Sequence, residues 1–219
     1  MNATNDTKPK RGRPARISPE QILAVAKTIS SKELTMSLVA DKLGVKTPAL
    51  YHHFKSREDL LLALGRQIAQ TFPLRAPDPG NWRAWILATA TDLLDFMLAN
   101  PVLQDVREWG RLQPISVPLM ENLLETLEEA GFSTEQAYRI WNVVFTLAIA
   151  DARILTVARD PKFAEEQEAA AAQYDESLME TAPRTVAMVN LIKGQPPEKM
   201  VRENLRWLVD NLPEPSQSK

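Results

Sequence analysis

The sequence predicts an all-α protein with a small N-terminal helical domain and a larger C-terminal one. Apolar residues recur throughout the 219 residues at the three-to-four spacing of a buried helical stripe, whereas no segment shows the sustained alternation of a half-buried strand. Prolines and cap residues divide these stripes into segments of helical length. The apolar fraction of 44% is sufficient for a core in each domain.

Charge is divided unevenly along the chain. Residues 1–70 carry 12 Lys and Arg against 6 Asp and Glu, a net charge of +6, whereas the remaining 149 residues carry 14 against 22, a net charge of −8. Since like charges repel, only the N-terminal part suits a polyanionic partner. The absence of Cys excludes disulfides and thiol chemistry. Because no segment has about 20 uninterrupted apolar residues, we expect a soluble, cytoplasmic protein without a membrane partner.

Residues 1–16 predict a flexible basic arm. Five positive charges fall within the nine residues 8–16, among prolines and a glycine that oppose helix formation. Such an arm can lie extended in a narrow minor groove of DNA, where the negative potential that attracts arginine is enhanced. The alternative is a solvated terminus that binds nothing. The candidate contacts in the arm are Lys10, Arg11, Arg13 and Arg16.

The start of the first helix has a strong local signature. Ser18 is followed by proline at the first helical position, and Gln21 completes a capping box. The apolar stripe that follows predicts a helix that ends near Ser31. A second, short helix should begin after Thr35 and end at Gly44, since glycine tolerates the left-handed conformation that closes a helix.

The third helix follows after a turn of only three residues, Gly44 to Lys46. Thr47 and Pro48 predict its N-cap and first helical residue, and the helix should run through Phe54 with Leu50 facing inward. A turn of this length holds two helices at the steep angle of a helix-turn-helix. In that arrangement the second helix of the pair enters the major groove with its N-terminal end first.

The side chains of this region therefore predict contacts to DNA. Thr47 can hydrogen-bond a base or a phosphate, and Pro48 and Ala49 offer apolar surface to a thymine methyl group. Phosphate contacts that fix the register suit Tyr51, His53, Lys55 and Arg57, and Lys46 precedes them in the turn. The amide groups at the start of the second helix, and at residues 56–58, form anion sites.

The same residues also allow interpretations that involve no binding to DNA. Helix-turn-helix spacing also occurs in helical hairpins that bind no DNA, and Tyr51 could fill the small core. Adjacent His52 and His53 do not predict a metal site, because neighbours on a helix point about 100° apart and no third ligand lies nearby.

The run from Leu34 to Leu62 resembles the DNA-binding signature of the tetracycline-repressor (TetR) family. The similarity covers residues 18–70 and includes Ala40, Gly44-Val45, Leu50-Tyr51, His53-Phe54-Lys55 and Leu60-Leu61. It implies an all-helical homodimer that represses transcription and leaves its operator when a small ligand enters the C-terminal domain.

By this resemblance the family's DNA-contacting positions are occupied here by Thr35, Ser37, Thr47, Pro48, Ala49, Tyr51, His53 and Arg57. Ser37 and Ala49 are small and uncharged, so the operator sequence does not transfer from relatives.

A fourth helix, from Ser56 to about Ile68, predicts the link between the two domains. Four residues between Phe72 and Trp82 are proline or glycine and must end it. We therefore expect a DNA-binding domain at residues 17–72 including the linking helix, a ligand-binding and dimerisation domain at 81–212, and a frayed tail at 213–219. Helices are predicted at 81–99, 102–110, 116–130, 134–159, 162–192 and 197–211, with 160–181 either an exposed helix or partly disordered.

The larger domain contains the side chains for a drug-sized pocket. Asn142 and Thr146 are polar groups inside an apolar helical run, where burial is costly unless something bonds them. They could orient a ligand or bond the preceding turn, and the aromatic residues could equally form the core. The candidate ligand residues are Phe96, Trp109, Met120, Leu124, Trp141, Asn142, Phe145 and Thr146.

The helix at 134–159 is apolar nearly all round from Ile140 to Ile154, which requires burial on two sides. One side can face the pocket, and the other can join the last helix in a four-helix interface with a second subunit. The alternative is a central core helix of a monomer.

Together these features predict a homodimeric repressor bound to a near-palindromic double-stranded operator and released by an apolar neutral or cationic effector. An activator or ligand-independent regulator would share the same DNA-binding residues. No cofactor, metal or catalytic set is indicated, so an enzyme with a DNA-targeting domain is disfavoured. An adaptor that uses a vestigial helix-turn-helix to bind protein is a further alternative, and it would show no salt-dependent affinity for DNA.

Overall fold

A computed structural model describes residues 17–105, 113–171, 181–192 and 194–215, and no strand occurs in these ranges. In chain order the helices are α1 (Pro19–Ala26), α2 (Met36–Leu43), α3 (Thr47–Tyr51), α4 (Arg57–Ala69), α5 (Trp82–Ala99), α6 (Val102–Asp105), α7 (Gln113–Glu129), α8 (Thr134–Ala158), α9 (Pro161–Ala171), α10 (Pro183–Ile192) and α11 (Pro197–Asp210). The all-α prediction is confirmed. The chain divides into two compact units between Leu60 and Leu61, inside α4.

The N-terminal unit is a small bundle in which α2 packs against both α1 and α3. Its core consists of fully buried side chains, among them Ile22, Leu34, Val39 and Leu50. Burial of each such side chain removes apolar surface from water and contributes roughly 1.5 to 3 kcal/mol. This shared core holds the very short α3, which is too short to be stable alone.

Hydrogen bonds between residues close in the sequence set both ends of α1. Ser18 and Gln21 form the predicted capping box, with Gln21 N–H donating to Ser18 Oγ at 3.3 Å and Ser18 N–H donating to Gln21 Oε1 at 2.9 Å. The helix ends at Ala26, earlier than the predicted Ser31. The Thr28 amide and hydroxyl both donate to the Val25 carbonyl, and this local bonding replaces the next helical turn.

The C-terminal unit is built around α5 and α8, which pack against each other along their length. α11 packs against both of them, and α7 packs against α8. Trp82 at the start of α5 meets Phe132 edge to face with ring centroids 4.8 Å apart. The α5–α8–α11 layer therefore contains the large apolar core.

Several predicted boundaries differ from the observed ones. α7 begins at Gln113 rather than residue 116, because Pro114 is tolerated in a first helical turn. Of the predicted helix at 102–110 only Val102–Asp105 lies in the described part, and the described residues of the stretch at 162–192 belong chiefly to α9 and α10.

Arg83 on α5 bonds to the end of α11 and to the residues that follow it. Its guanidinium donates to the Val209 and Leu212 carbonyls, each at 2.7 Å, and to Glu214 Oε1 at 2.8 Å. Glu214, in the tail that is predicted to fray from residue 213, thus makes a long-range contact that the local sequence does not show, and the fraying of residues 213–219 stays a prediction.

Within the described ranges, α8 is the one helix long and apolar enough to cross a membrane by length and composition. Its buried side packs against α5, α7 and α11, and it carries Asp151 within its apolar run. The core helix of a globular unit accounts for these features.

Candidate nucleic-acid interface

Three backbone features set the turn between α2 and α3. Gly44 has φ of 67° and ψ of 28°, the left-handed conformation that favours glycine. Its N–H donates to the Asp41 carbonyl at 3.1 Å, and the Val45 N–H donates to the Ala40 carbonyl at 3.0 Å. Lys46 is then extended, and α3 begins at the next residue. The predicted helix-turn-helix is confirmed.

One side of α3 is anchored in the core and the other faces outward. Leu50 is fully buried and Phe54, just beyond the helix, is 8% exposed, whereas Tyr51 is 51% exposed. Pro48 and His53 are also exposed. Tyr51 therefore does not fill the core, and the outward side of α3 is accessible to a partner.

The start of α3 differs from the prediction. Lys46 is the N-cap and makes no side-chain cap hydrogen bond, so Thr47 and Pro48 are the first two helical residues. The helix ends at Tyr51, because the His53 and Phe54 amides both donate to the Leu50 carbonyl in a closing turn. The Thr47 hydroxyl has no partner within the described residues, so it retains both donor and acceptor capacity.

The start of α2 offers donors on the same helix-turn-helix. Thr35 caps α2 as predicted, its Oγ1 accepting from the Leu38 N–H at 3.1 Å, which leaves the hydroxyl proton to donate elsewhere. The first amides of the helix, at Met36 and Ser37, have no acceptor inside it. With the positive end of the helix dipole, these groups suit a phosphate, and the Ser37 side chain is exposed beside them.

Arg57 has an intramolecular role that the sequence did not reveal. Its Nε donates to the Leu34 carbonyl and a terminal guanidinium nitrogen donates to the Ser31 carbonyl, both at 2.7 Å. These bonds join the start of α4 to the segment before α2. The phosphate contact that the family resemblance implies for Arg57 is untested, and its two internal bonds favour a structural role instead. Lys55, by contrast, is exposed with no side-chain partner in the described part of the chain.

His53 lies close enough to α1 to affect its first turn. The pKa of Glu20 is lowered, chiefly by a hydrogen bond with the Ser18 side chain and to a smaller degree by His53.

In the described ranges no group of three or more His, Asp or Glu has the arrangement of a metal site. The arm residues Lys10, Arg11, Arg13 and Arg16 lie outside the described residues.

Those candidate ligand residues that the structure describes lie on α5, α7 and α8. Phe145 is buried on α8 and stacks on Trp141 with centroids 4.3 Å apart. Met120 and Leu124 on α7 are partly buried against the same core. Phe96 on α5 meets Phe72 edge to face at 5.3 Å. The predicted residue Trp109 lies outside the described residues.

Asn142 and Thr146 are not buried, as their place in an apolar run had suggested, and their role in ligand binding stays a prediction. Both side chains are exposed, and the Thr146 hydroxyl donates to Asn142 Oδ1 at 3.4 Å. The buried polar group on α8 is instead Asp151, which is 6% exposed and is not among the predicted ligand residues. A signal was present, because Asp151 continues the stripe of Ile140 and Val144 at helical spacing.

A surface cleft of about 620 Å³ opens at the turn between α7 and α8. It contains none of the predicted ligand residues. Its lining includes Glu128, Phe132, Ser133, Glu135 and Arg139, and Glu135 and Arg139 already pair with each other at 2.7 Å.

Comparisons with known proteins cover both units. Residues 31–64 match the bacterial regulatory proteins of the tetR family, and residues 74–195 match the tetracyclin repressor-like C-terminal domain. The HTH-type transcriptional repressor Rv1353c of Mycobacterium tuberculosis is 29% identical over 152 residues, covering 64% of this chain and 58% of that protein. The class A tetracycline repressor from transposon 1721 of Escherichia coli is 30% identical over 106 residues, covering 48% of this chain and 49% of that protein. The chain thus spans about half the length of these curated relatives.

Solved structures share the fold. ActR of Streptomyces coelicolor in complex with actinorhodin superimposes with a TM-score of 0.73 at 21% identity, covering 90% of this chain and 97% of ActR. TetR of Acinetobacter baumannii AYE superimposes with a TM-score of 0.58 at 19% identity, covering 89% and 95%. With a matching domain in each unit, the second of which spans more than half of the sequence, this chain belongs to the TetR family, whose members are transcriptional regulators and not enzymes.

Proposed function

We propose that this chain is a homodimeric transcriptional repressor that binds a near-palindromic operator and is released by a small-molecule effector held in its C-terminal unit. The observation that carries the DNA-binding part is the orientation of α3. Leu50 anchors the helix in the core while Pro48, Tyr51 and His53 remain exposed on a basic unit. A short helix held in this way can enter the major groove.

Three groups of residues are placed for this mode of binding. Lys46 and Thr47 lie at the N-terminal end of α3, where base edges are met first. Thr35 and the first amides of α2 are suited to a phosphate on the flanking backbone. Lys55 adds a charge beyond α3. In a dimer the two copies of α3 would enter successive major grooves about 34 to 36 Å apart.

Dimerisation is supported by the outer side of α8. Val143 and Ile154 are 52% and 56% exposed, and Val157 is 44% exposed, at spacings that place them on one side of the helix. On α11, Trp207 is 68% exposed. Apolar side chains grouped on a helix surface are typical of a protein interface. A second copy of α8 and α11 would bury them in a four-helix arrangement around a two-fold axis.

The repressor role is supported by the relatives from Mycobacterium tuberculosis and Escherichia coli, both of which are named as repressors. The effector is supported by ActR, a protein of the same fold that was solved in complex with actinorhodin. An effector must bind the two states of the dimer with unequal affinity, or it shifts neither population. Such a regulator acts in the cytoplasm, because the operator DNA that it binds is located there.

The test begins with selection of genomic DNA fragments by the purified chain, followed by titration of the recovered sequence at several salt concentrations. We expect the logarithm of the affinity to fall linearly with the logarithm of the salt concentration. Lys46→Ala should lower the slope by about 0.9, and Thr47→Ala should weaken preference for the selected site over unrelated DNA by about tenfold. Lys162→Ala, an exposed change in the C-terminal unit, is the matched control.

Indifference to every duplex at low salt would contradict the proposal and favour the adaptor hypothesis. A reporter gene placed under the selected site separates the remaining alternatives. A repressor lowers expression until an effector is added, an activator raises it, and a ligand-independent regulator gives the same expression with every candidate effector.

A further inference from the structure

Asp151 is an ionisable side chain inside the apolar core of the C-terminal unit. It lies on α8 and is 6% exposed, while its neighbours on the same helix, Ala148, Ala152 and Leu155, are 1% exposed or less. An alanine or a leucine at position 151 would complete the apolar stripe of α8. Packing alone therefore does not require a carboxylate at this position.

In the described part of the chain, one oxygen of this carboxylate is buried without a partner. Asp151 Oδ2 is buried and has no hydrogen bond, and each ion pair found among the described residues involves a different carboxylate. The amide of Gln104 on α6 reaches the next residue of α8 but is used there, because its Nε2 donates to the Ala152 carbonyl and to Thr156 Oγ1. Burial raises the pKa of Asp151 above its ordinary value.

A second buried atom without a partner allows the two cases to be compared. Thr89 Oγ1 on α5 also lacks a hydrogen bond in the described part of the chain. An unpaired hydroxyl is neutral and carries a moderate penalty, whereas an unpaired carboxylate must either remain ionised at a high cost or bind a proton. Asp151 is thus the buried group that gains most from a donor supplied from outside.

We propose that Asp151 is the anchoring carboxylate of the effector site, and that the effector carries a protonated amine or similar cationic donor beside an apolar body. The apolar surroundings of α5 and α8 would hold the body of the molecule, and the amine would pair with the carboxylate. An anionic effector would meet repulsion at this point. This inference rests on the proposed effector-responsive function, and it specifies the chemical class of the effector.

The first experiment tests whether Asp151 lacks a partner in the free protein. Thermal unfolding of the full chain is compared for the wild type, Asp151→Asn and Asp151→Ala. Glu166→Gln on α9 is the matched control, since it removes one negative charge from an exposed side chain. An unpartnered carboxylate predicts that both Asp151 variants unfold at a higher temperature than the wild type and the control. Unfolding at a lower temperature would show that Asp151 already has a partner in the free protein and would overturn the proposal.

The second experiment tests the charge of the ligand with three probes of similar shape, phenylbutylamine, phenylbutanol and phenylbutyrate. Isothermal titration calorimetry should show the amine binding the wild type at least about tenfold more tightly than the alcohol, with phenylbutyrate weakest. Asp151→Asn should remove about tenfold of the amine's affinity and leave that of the alcohol within about twofold. Glu166→Gln should leave the order of the three probes unchanged.

Equal affinity for amine and alcohol, an amine preference that persists in Asp151→Asn, or no binding of the amine would each overturn the proposal. Operator binding is followed separately on the same samples. Failure to bind any duplex contradicts the proposed function without affecting the calorimetric result. Loss of the charge preference in a chain that still binds its operator contradicts only the inference about Asp151.

Discussion

Replacement of Arg57 by methionine should destabilise the helix-turn-helix unit without changing the number of phosphates that it neutralises. The guanidinium donates two hydrogen bonds of 2.7 Å, to the Leu34 and Ser31 carbonyls, and so fastens the start of α4 to the segment before α2. Methionine has similar length and apolar bulk but no donor. The perturbation therefore removes these bonds and leaves most of the packing.

The magnitude follows from the exposure of the side chain. A hydrogen bond that involves a charged group contributes about 1.5 to 3 kcal/mol when it is shielded from water. The Arg57 side chain is 37% exposed, so solvent screening reduces this value substantially. We expect a total loss of about 1 to 2 kcal/mol for the two bonds. For a chain of this size that corresponds to a decrease in Tm of roughly 2 to 8 °C.

The assay pairs thermal unfolding, followed by far-UV circular dichroism, with titration of the selected operator at several salt concentrations. Lys55→Met is the matched control, because Lys55 is a nearby exposed cation without a side-chain partner among the described residues. It should leave Tm unchanged and lower the salt slope by about 0.9. Arg57→Lys, which keeps the charge but not the two-pronged geometry, should lose most of the stability that methionine loses.

The opposite pattern would refute the reasoning. If Arg57→Met leaves Tm unchanged and lowers the salt slope by about one, and Arg57→Lys restores both affinity and slope, then the guanidinium acts on a phosphate. The bonds to Ser31 and Leu34 would then contribute nothing measurable to stability.

Three further predictions concern the turn, the core and the outer side of α8. Gly44→Ala should cost about 1 to 2 kcal/mol of stability, because φ is +67° while no atom lies within 4 Å of the added Cβ; an unchanged urea midpoint would contradict a purely backbone penalty. The raised pKa of Asp151 means that the folded state binds its proton more tightly than the unfolded state does, so stability should fall as pH rises from the ordinary pKa of 3.8 through the folded-state value. Urea unfolding across this pH range should show that loss in the wild type, and an equal loss in Asp151→Asn would rule out Asp151 as its source. Val143→Asp should shift the chain from dimer to monomer in sedimentation velocity, while Val117→Asp on α7, at an equally exposed valine, should not; a shift with both variants, or with neither, would rule out α8 as the interface.

Much of the N-terminal unit could be predicted because its signals are local. Ser18 with Gln21, Thr35 and Gly44 each act on amides and carbonyls within a few residues, so their neighbours in the sequence are also their neighbours in space. The burial of Leu50 followed from helical periodicity. The exact start of α3 did not, since Thr47 could serve either as a cap or as the first helical residue.

The sequence by itself determined the helical class, the turn between α2 and α3, and the basic character of the unit that contains them. Tertiary structure alone decided which side of α8 is buried. A helix that is apolar nearly all round has no single stripe, so only packing against α5, α7 and α11 could expose Asn142 and Thr146 and bury Asp151. Tertiary structure also decided the hydrogen bonds of Arg57, because its acceptors lie 23 and 26 residues away along the chain. Partners at that separation are brought together by the fold of the backbone, and local propensity carries no information about them.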